Sequence, residues 1–147
     1  MPGRPYGEQM AASGHGADTE VGPLRAVVLH RPGPEIRRLT PRNSADLLFD
    51  AIPWVERAQE EHDVFAQTLV GRGVEVLALH ELVSEALTVD AARQTLVDRT
   101  LQDRLLGDEL RGVLAAHLAG LAATELADVV IAGLSYDELG PGNGVVA

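Results

Sequence analysis

Leu24-Arg25-Ala26-Val27-Val28-Leu29-His30 is almost continuously apolar, rich in β-branched residues, and bounded by Gly22-Pro23 and Pro32-Gly33. Such a run predicts a strand, and the near-absence of polar alternation predicts burial on both faces, as in a parallel sheet. Arg31-Pro32-Gly33 then turns the chain. Asn43 or Ser44 can offer a side-chain oxygen to the free amides of a helix start, which predicts a short helix over 45–50. Pro53 suits the first turn of the next helix. Beyond it Val55, Ala58, His62, Phe65, Ala66 and Leu69 recur at helical spacing on one face. Gly71-Arg72-Gly73 ends that helix, because glycine tolerates the left-handed conformation found at helix ends. Val74 to Leu79 reads as a second strand. Strand, helix and strand in this order predict a parallel pair with a right-handed crossover.

After His80 the period changes to helix alone. Residues 81–87, 90–106, 108–121 and 124–134 carry i, i+3, i+4 apolar patterns, with Gly107 and Gly120 at two of the breaks. Ser135 and Glu138 stand at capping-box spacing. The expected layout is a leader without order at 1–20, a βαβ unit at 21–80, a bundle of four or five helices at 81–139, and a turn-forming tail or truncation point at 140–147. No repeat or low-complexity stretch interrupts it.

Composition narrows the function classes. The 147 residues suffice for a real core, but aromatics are only 3%, so that core must be built from Ala, Leu and Val, and a stacking surface for bases or sugars lacks material. A net charge of -10 argues against nucleic acid or an anionic membrane as partner. All twelve basic residues are Arg, a bias that a GC-rich genome explains. The chain has no Cys, which removes disulfides, thiolate metal sites and thiol nucleophiles together. No apolar run approaches the roughly 20 residues that span a bilayer, and residues 1–18 lack the apolar centre of a secretory signal. The expected compartment is the cytoplasm.

Candidate chemistry is thin when read residue by residue. His30 and His80 each fall at or just after the C-terminal end of an expected parallel strand, where open α/β folds place ligands. No pair of histidines has helical ligand spacing, and no carboxylate cluster supplies a third ligand, so a metal is not expected. His62 lies on the apolar stripe of its helix and reads as a half-buried packing residue. Glu60, Glu61 and Asp63 form an acidic cluster, but consecutive helical positions do not face one another, and a solvated surface is the better reading. Gly140-Pro141-Gly142-Asn143-Gly144 lacks the Lys and Ser or Thr of a phosphate loop. No serine sits in a nucleophile elbow. The residues themselves show no complete catalytic constellation.

Three segments carry a resemblance: Glu20 to Gly33 (EVGPLRAVVLHRPG), Leu39 to Asn43 (LTPRN) followed by Leu47-Leu48-Phe49-Asp50, and Glu60 to Phe65 (EEHDVF). In this order they resemble the N-terminus of the bacterial arginine deiminase family, within the guanidino-group modifying superfamily, over roughly residues 19–139. The helical second half agrees, since that family carries a helical insertion after its first βαβ unit whereas smaller superfamily members lack it. The resemblance implies an α/β fold: the first βαβ unit of a pseudo-fivefold α/β propeller plus an inserted helical bundle, together a partial domain. It implies hydrolysis of L-arginine to L-citrulline and ammonia by a cysteine thiolate that forms a thiouronium intermediate. It implies no metal or organic cofactor, and a homo-oligomer at full length. The family's catalytic groups lie C-terminal to the insertion, so no position here corresponds to them, and the chain reads as a truncated or partial gene product, inactive by itself. What carries over is the substrate-cavity segment: Leu48 lining the cavity over the aliphatic part of arginine, with Phe49 and Asp50 as further candidates for the same wall. Plain core packing is the competing reading, preferred for Leu47. The rival functions are a non-catalytic α/β-plus-helix interaction module and part of a related amidinotransferase.

Overall fold

Val27 and Val28 lie at the centre of a four-residue strand, β1 (Ala26–Leu29), in the computed structural model of the chain, which describes residues 16–17, 19–40, 51–102 and 106–139. β1 pairs in parallel with β2 (Glu75–Ala78), Ala26 lying opposite Glu75 and Leu29 opposite Ala78. Two helices separate the strands: α1 (Pro34–Arg37) and α2 (Val55–Val70). The expected strand, helix, strand order and the parallel pairing are therefore present. α1 was not foreseen from the turn-forming Pro32-Gly33-Pro34. Pro34 fits there because its fixed φ suits the first helical position, where its missing N–H costs nothing. The expected helix over 45–50, and its caps Asn43 and Ser44, lie outside the described residues, as do the leader up to residue 15 and the tail from Gly140.

Three local expectations need correction. Pro53 is not in the first turn of α2, because Trp54 is extended and acts as the cap, its carbonyl accepting the Ala58 N–H at 3.0 Å. Phe65 is not on the inward face but 53% exposed. At about 100° per residue it lies roughly 80° away from Val55, whereas Ala58, Gln59, His62, Ala66 and Leu69 stay nearer the buried side. Nor is β1 buried on both faces. Ala26 and Val28 are exposed, while Val27 and Leu29 are half-buried. The described sheet has two strands, and Leu29 and Ala78 share a cleft with Gln59 of α2 and with Ile131 and Ala132 further along, while Leu77, opposite Val28, is half-buried. Gly71 keeps a right-handed φ of -63°, and Gly73, at φ +80°, takes the left-handed turn into β2.

β2 passes without a loop into α3 (Leu79–Ala86), followed by α4 (Asp90–Thr100), α5 (Asp108–Gly120), α6 (Ala123–Ala132) and a closing 3-10 turn at Tyr136–Leu139. α4 is shorter than its 90–106 pattern suggested, and residues 103–105 lie outside the described residues. Gly133, at φ +80°, ends α6. Leu87, Val97, Leu101, Leu118, Leu126 and Ala127 form the buried core of this half, Leu126 and Ala127 being 0% exposed. That core is aliphatic, as the shortage of aromatics required. The Ser135–Glu138 spacing does produce a cap, although of the 3-10 turn: the Glu138 carboxylate accepts the Ser135 N–H at 2.6 Å and its hydroxyl at 2.9 Å. Among the described residues no helix is long and apolar enough to cross a membrane.

Candidate functional site

Leu48, Phe49 and Asp50, the substrate-wall candidates, lie outside the described residues. What the structure places is the ground on either side of them. His30 and His80, far apart in the chain, face one cleft of about 320 Å³ at the C-terminal ends of β1 and β2. They come together because the two strands are parallel and in register, so both chain exits fall at the same end of the sheet. Leu29, Pro32, Leu79 and Ile131 give the cleft apolar walls.

Each imidazole is paired with a carboxylate. His30 Nε2 is 2.9 Å from Glu35 Oε1, and His80 Nε2 is 2.9 Å from Asp128 Oδ1. An ionised carboxylate only accepts, so each Nε2 carries the proton. Partial burial pushes the Glu35 carboxyl upward, but the backbone N–H groups of Gly33 and Glu35 and the His30 side chain outweigh it, leaving the group below its usual range. Glu35 Oε1 accepts the Gly33 N–H at 2.6 Å, so one carboxylate fixes both the turn and the imidazole.

The same turn is tied to α2. Arg31 makes a two-pronged contact with Asp63, Nε to Oδ1 at 2.8 Å and Nη2 to Oδ2 at 3.0 Å, and Gln59 Nε2 donates to the Pro32 carbonyl at 2.8 Å. The Arg31 hydrogen bonds hold the Asp63 carboxyl below its ordinary value. Asp63 is therefore a tertiary anchor, which its place in an acidic cluster concealed. Glu60 and Glu61 fit the solvated reading, both meeting Arg57 on the same helix at 3.3 and 2.9 Å. His62 is half-buried with 19% of its side chain exposed.

The cleft can bind and orient a small polar group through its imidazoles. Among the described residues its walls include no hydroxyl or thiol. Arg38 fastens the segment leading into residues 41–50. Its Nη2 donates to the Gly133 carbonyl at 3.0 Å and to Glu138 Oε2 at 3.0 Å, and Leu39 beside it is 6% exposed. A second concavity is lined, among the described residues, by α5 alone.

The turn anchored by Glu35 and Asp63 belongs to the HRPG segment that carried the resemblance, and the comparisons agree with that reading. The family model for arginine deiminase matches residues 45–139, more than half of the chain. An arginine deiminase of Rhodococcus opacus (strain B4) is 54% identical over 134 residues, covering 88% of this chain and 33% of that protein. Those of Mycobacterium marinum and Mycobacterium tuberculosis (strain H37Ra) are 54% and 50% identical, each over 84% of this chain and 31% of their own length. The chain spans about a third of the length of these curated relatives. Identity of this extent, across the strands, α2 and the helices that follow, makes the chain a member of the arginine deiminase family.

Proposed function

We propose that the chain is the N-terminal part of an arginine deiminase, whose whole polypeptide hydrolyses L-arginine to L-citrulline and ammonia. One observation carries this reading: 50–54% identity to proteins named arginine deiminase over 84–88% of the chain. In that enzyme residues 21–80 are the first βαβ unit of an α/β propeller, and 81–139 are the helical insertion. The whole enzyme works in the cytoplasm as a homo-oligomer.

The chemistry divides between this chain and the rest of the polypeptide. Hydrolysis through a thiouronium intermediate needs a thiolate to attack the guanidinium carbon and release ammonia, after which water cleaves the C–S bond and frees the thiol. This chain has no Cys, so the nucleophile comes from elsewhere in the enzyme, and the chain alone is inactive. Its own contribution is Leu48, apolar wall over the substrate's aliphatic part, with Phe49 and Asp50 as further candidates for shaping the same wall. The turn at residues 30–35, tied to Gln59 and Asp63 of α2, and the Arg38 contact hold the chain that leads into that segment.

The test replaces the matching third of the Rhodococcus opacus arginine deiminase with this chain. The chimera is expected to form citrulline from arginine, and the chain alone is expected to form none. In the chimera Leu48→Ala removes about three carbons of apolar contact, worth about 2 kcal/mol, so kcat/KM falls roughly thirtyfold. A folded chimera without citrulline formation would count against the family function. Unchanged kinetics with a lowered Tm would move Leu48 from the cavity wall to the core.

A further inference from the structure

The described chain on either side of residues 41–50 comes together at one base. Leu39 before that segment and Val55 after it are both buried. Arg37, the last residue of α1, donates through Nη2 to Oε1 of Glu56, in the first turn of α2, at 3.3 Å. The chain therefore departs from and returns to the same place. Bringing the ends of a segment together restricts the conformations open to it, so the stance of its first foot bears on where its side chains fall.

That foot is fastened from far along the chain. Arg38 donates through Nη2 to the Gly133 carbonyl and to Glu138 Oε2, both at 3.0 Å, across 95 and 100 residues. Gly133 ends α6 and Glu138 lies in the closing 3-10 turn, so both partners belong to the helical half. α1 also packs against α6. Arg38 has 33% of its side chain exposed, against 62% for Arg37, and a pair as open as Arg37–Glu56 contributes little. Charge-assisted bonds from a half-buried guanidinium to a carboxylate and a carbonyl make Arg38 the stronger fastening. We propose that Arg38, held by Glu138 and Gly133, is a positioning residue for arginine turnover, setting the segment that presents Leu48 to the substrate. This rests on the function proposed above, and gives the closing turn of the helical half a share in it.

The test uses the chimera with the Rhodococcus opacus enzyme. An apolar wall over the unreacting part of a substrate is felt equally in ground and transition states, so displacing it raises KM and spares kcat. Arg38→Ala is expected to raise KM for arginine roughly tenfold while kcat stays within about twofold. Glu138→Gln should move KM the same way by less, since an amide keeps a hydrogen bond but not the charge. Arg93→Ala, which takes a donor from the carbonyls at the end of α5, is expected to lower Tm and leave KM unchanged. In a Leu48→Ala background Arg38→Ala should add less than about twofold to KM, because the wall it positions is already gone. Amide exchange across 41–50 in the isolated chain should quicken in Arg38→Ala and not in Arg93→Ala, a readout that needs no activity. An active chimera whose KM ignores Arg38→Ala would overturn the proposal and leave the family function standing, as would full additivity with Leu48→Ala. A parent chimera that forms no citrulline sinks the functional reading instead. Exchange across 41–50 then decides the fastening alone, quickening supporting it and no change overturning it.

Discussion

Glu138 shows how far one side chain can be displaced by its partners on the surface. The Ser135 N–H and hydroxyl, then the Arg38 guanidinium, hold its carboxyl down from 4.5 to about 2. A depressed folded pKa stabilises the folded state fully above the unfolded value, and that contribution is lost as pH falls through the folded one. Stability should therefore decline between about pH 4.5 and pH 2, and Glu138→Gln should flatten that stretch of the curve. Carboxyl NMR titration reads the group directly, and a Glu138 midpoint near 4.5 would remove the account. At this scale the Ser135–Glu138 pairing was legible, because four residues of chain suffice to make it. Arg38 as the third partner, 100 residues away, was not, and neither was Asp63 as the partner of Arg31. Their spacing in sequence carries no trace of either contact.

Two arginines lock α4 and α5 together by their ends. Arg93 of α4 donates through Nη2 to the carbonyls of Leu118, Ala119 and Leu121, where α5 finishes, at 2.9, 3.1 and 2.6 Å. Arg111 of α5 returns the favour, its guanidinium donating to the carbonyls of Leu101 and Leu106 at 3.0 and 2.9 Å, beyond the end of α4. Orphan carbonyls at a helix end need donors, and a cation also complements the negative end of the helix dipole. Arg93→Ala should cost about 2 kcal/mol, since several charge-assisted bonds are lost and partly buried carbonyls are left unpaired. Arg93→Lys should recover only part, because an ammonium is more strongly hydrated than a guanidinium and gives up more on reaching partly buried carbonyls. Urea unfolding of the isolated chain checks both, and an Arg93→Ala variant within error of the parent would show that water serves the carbonyls as well. Helix existence was legible from periodicity here. The early end of α4 was not, because that end coincides with carbonyls claimed by an arginine on the next helix.

On the scale of the whole molecule, stability is unevenly spread. Leu87, Val97, Leu101, Leu118, Leu126 and Ala127 close a core among the helices, while Val28 on the strands is half exposed. Regions with few buried apolar contacts open more readily, and helical contacts are local, whereas β1 and β2 must close a long loop before they meet. Amide exchange should therefore be slower at residues 90–132 than at 26–29 and 75–78 in the isolated chain, and uniform protection would contradict this. What the amino-acid sequence determined by itself was whatever depends on near neighbours: element types, glycine stops, the parallel order implied by a helix between two strands, an aliphatic core, and the absence of a thiol. The tertiary structure decided which surfaces those elements present to each other. It placed His30 and His80 in one cleft, turned Phe65 outward, and left Val28 half exposed on the sheet. The physical reason is that apolar periodicity states which side of an element prefers burial, whereas burial itself requires a partner, and partners are supplied by distant chain.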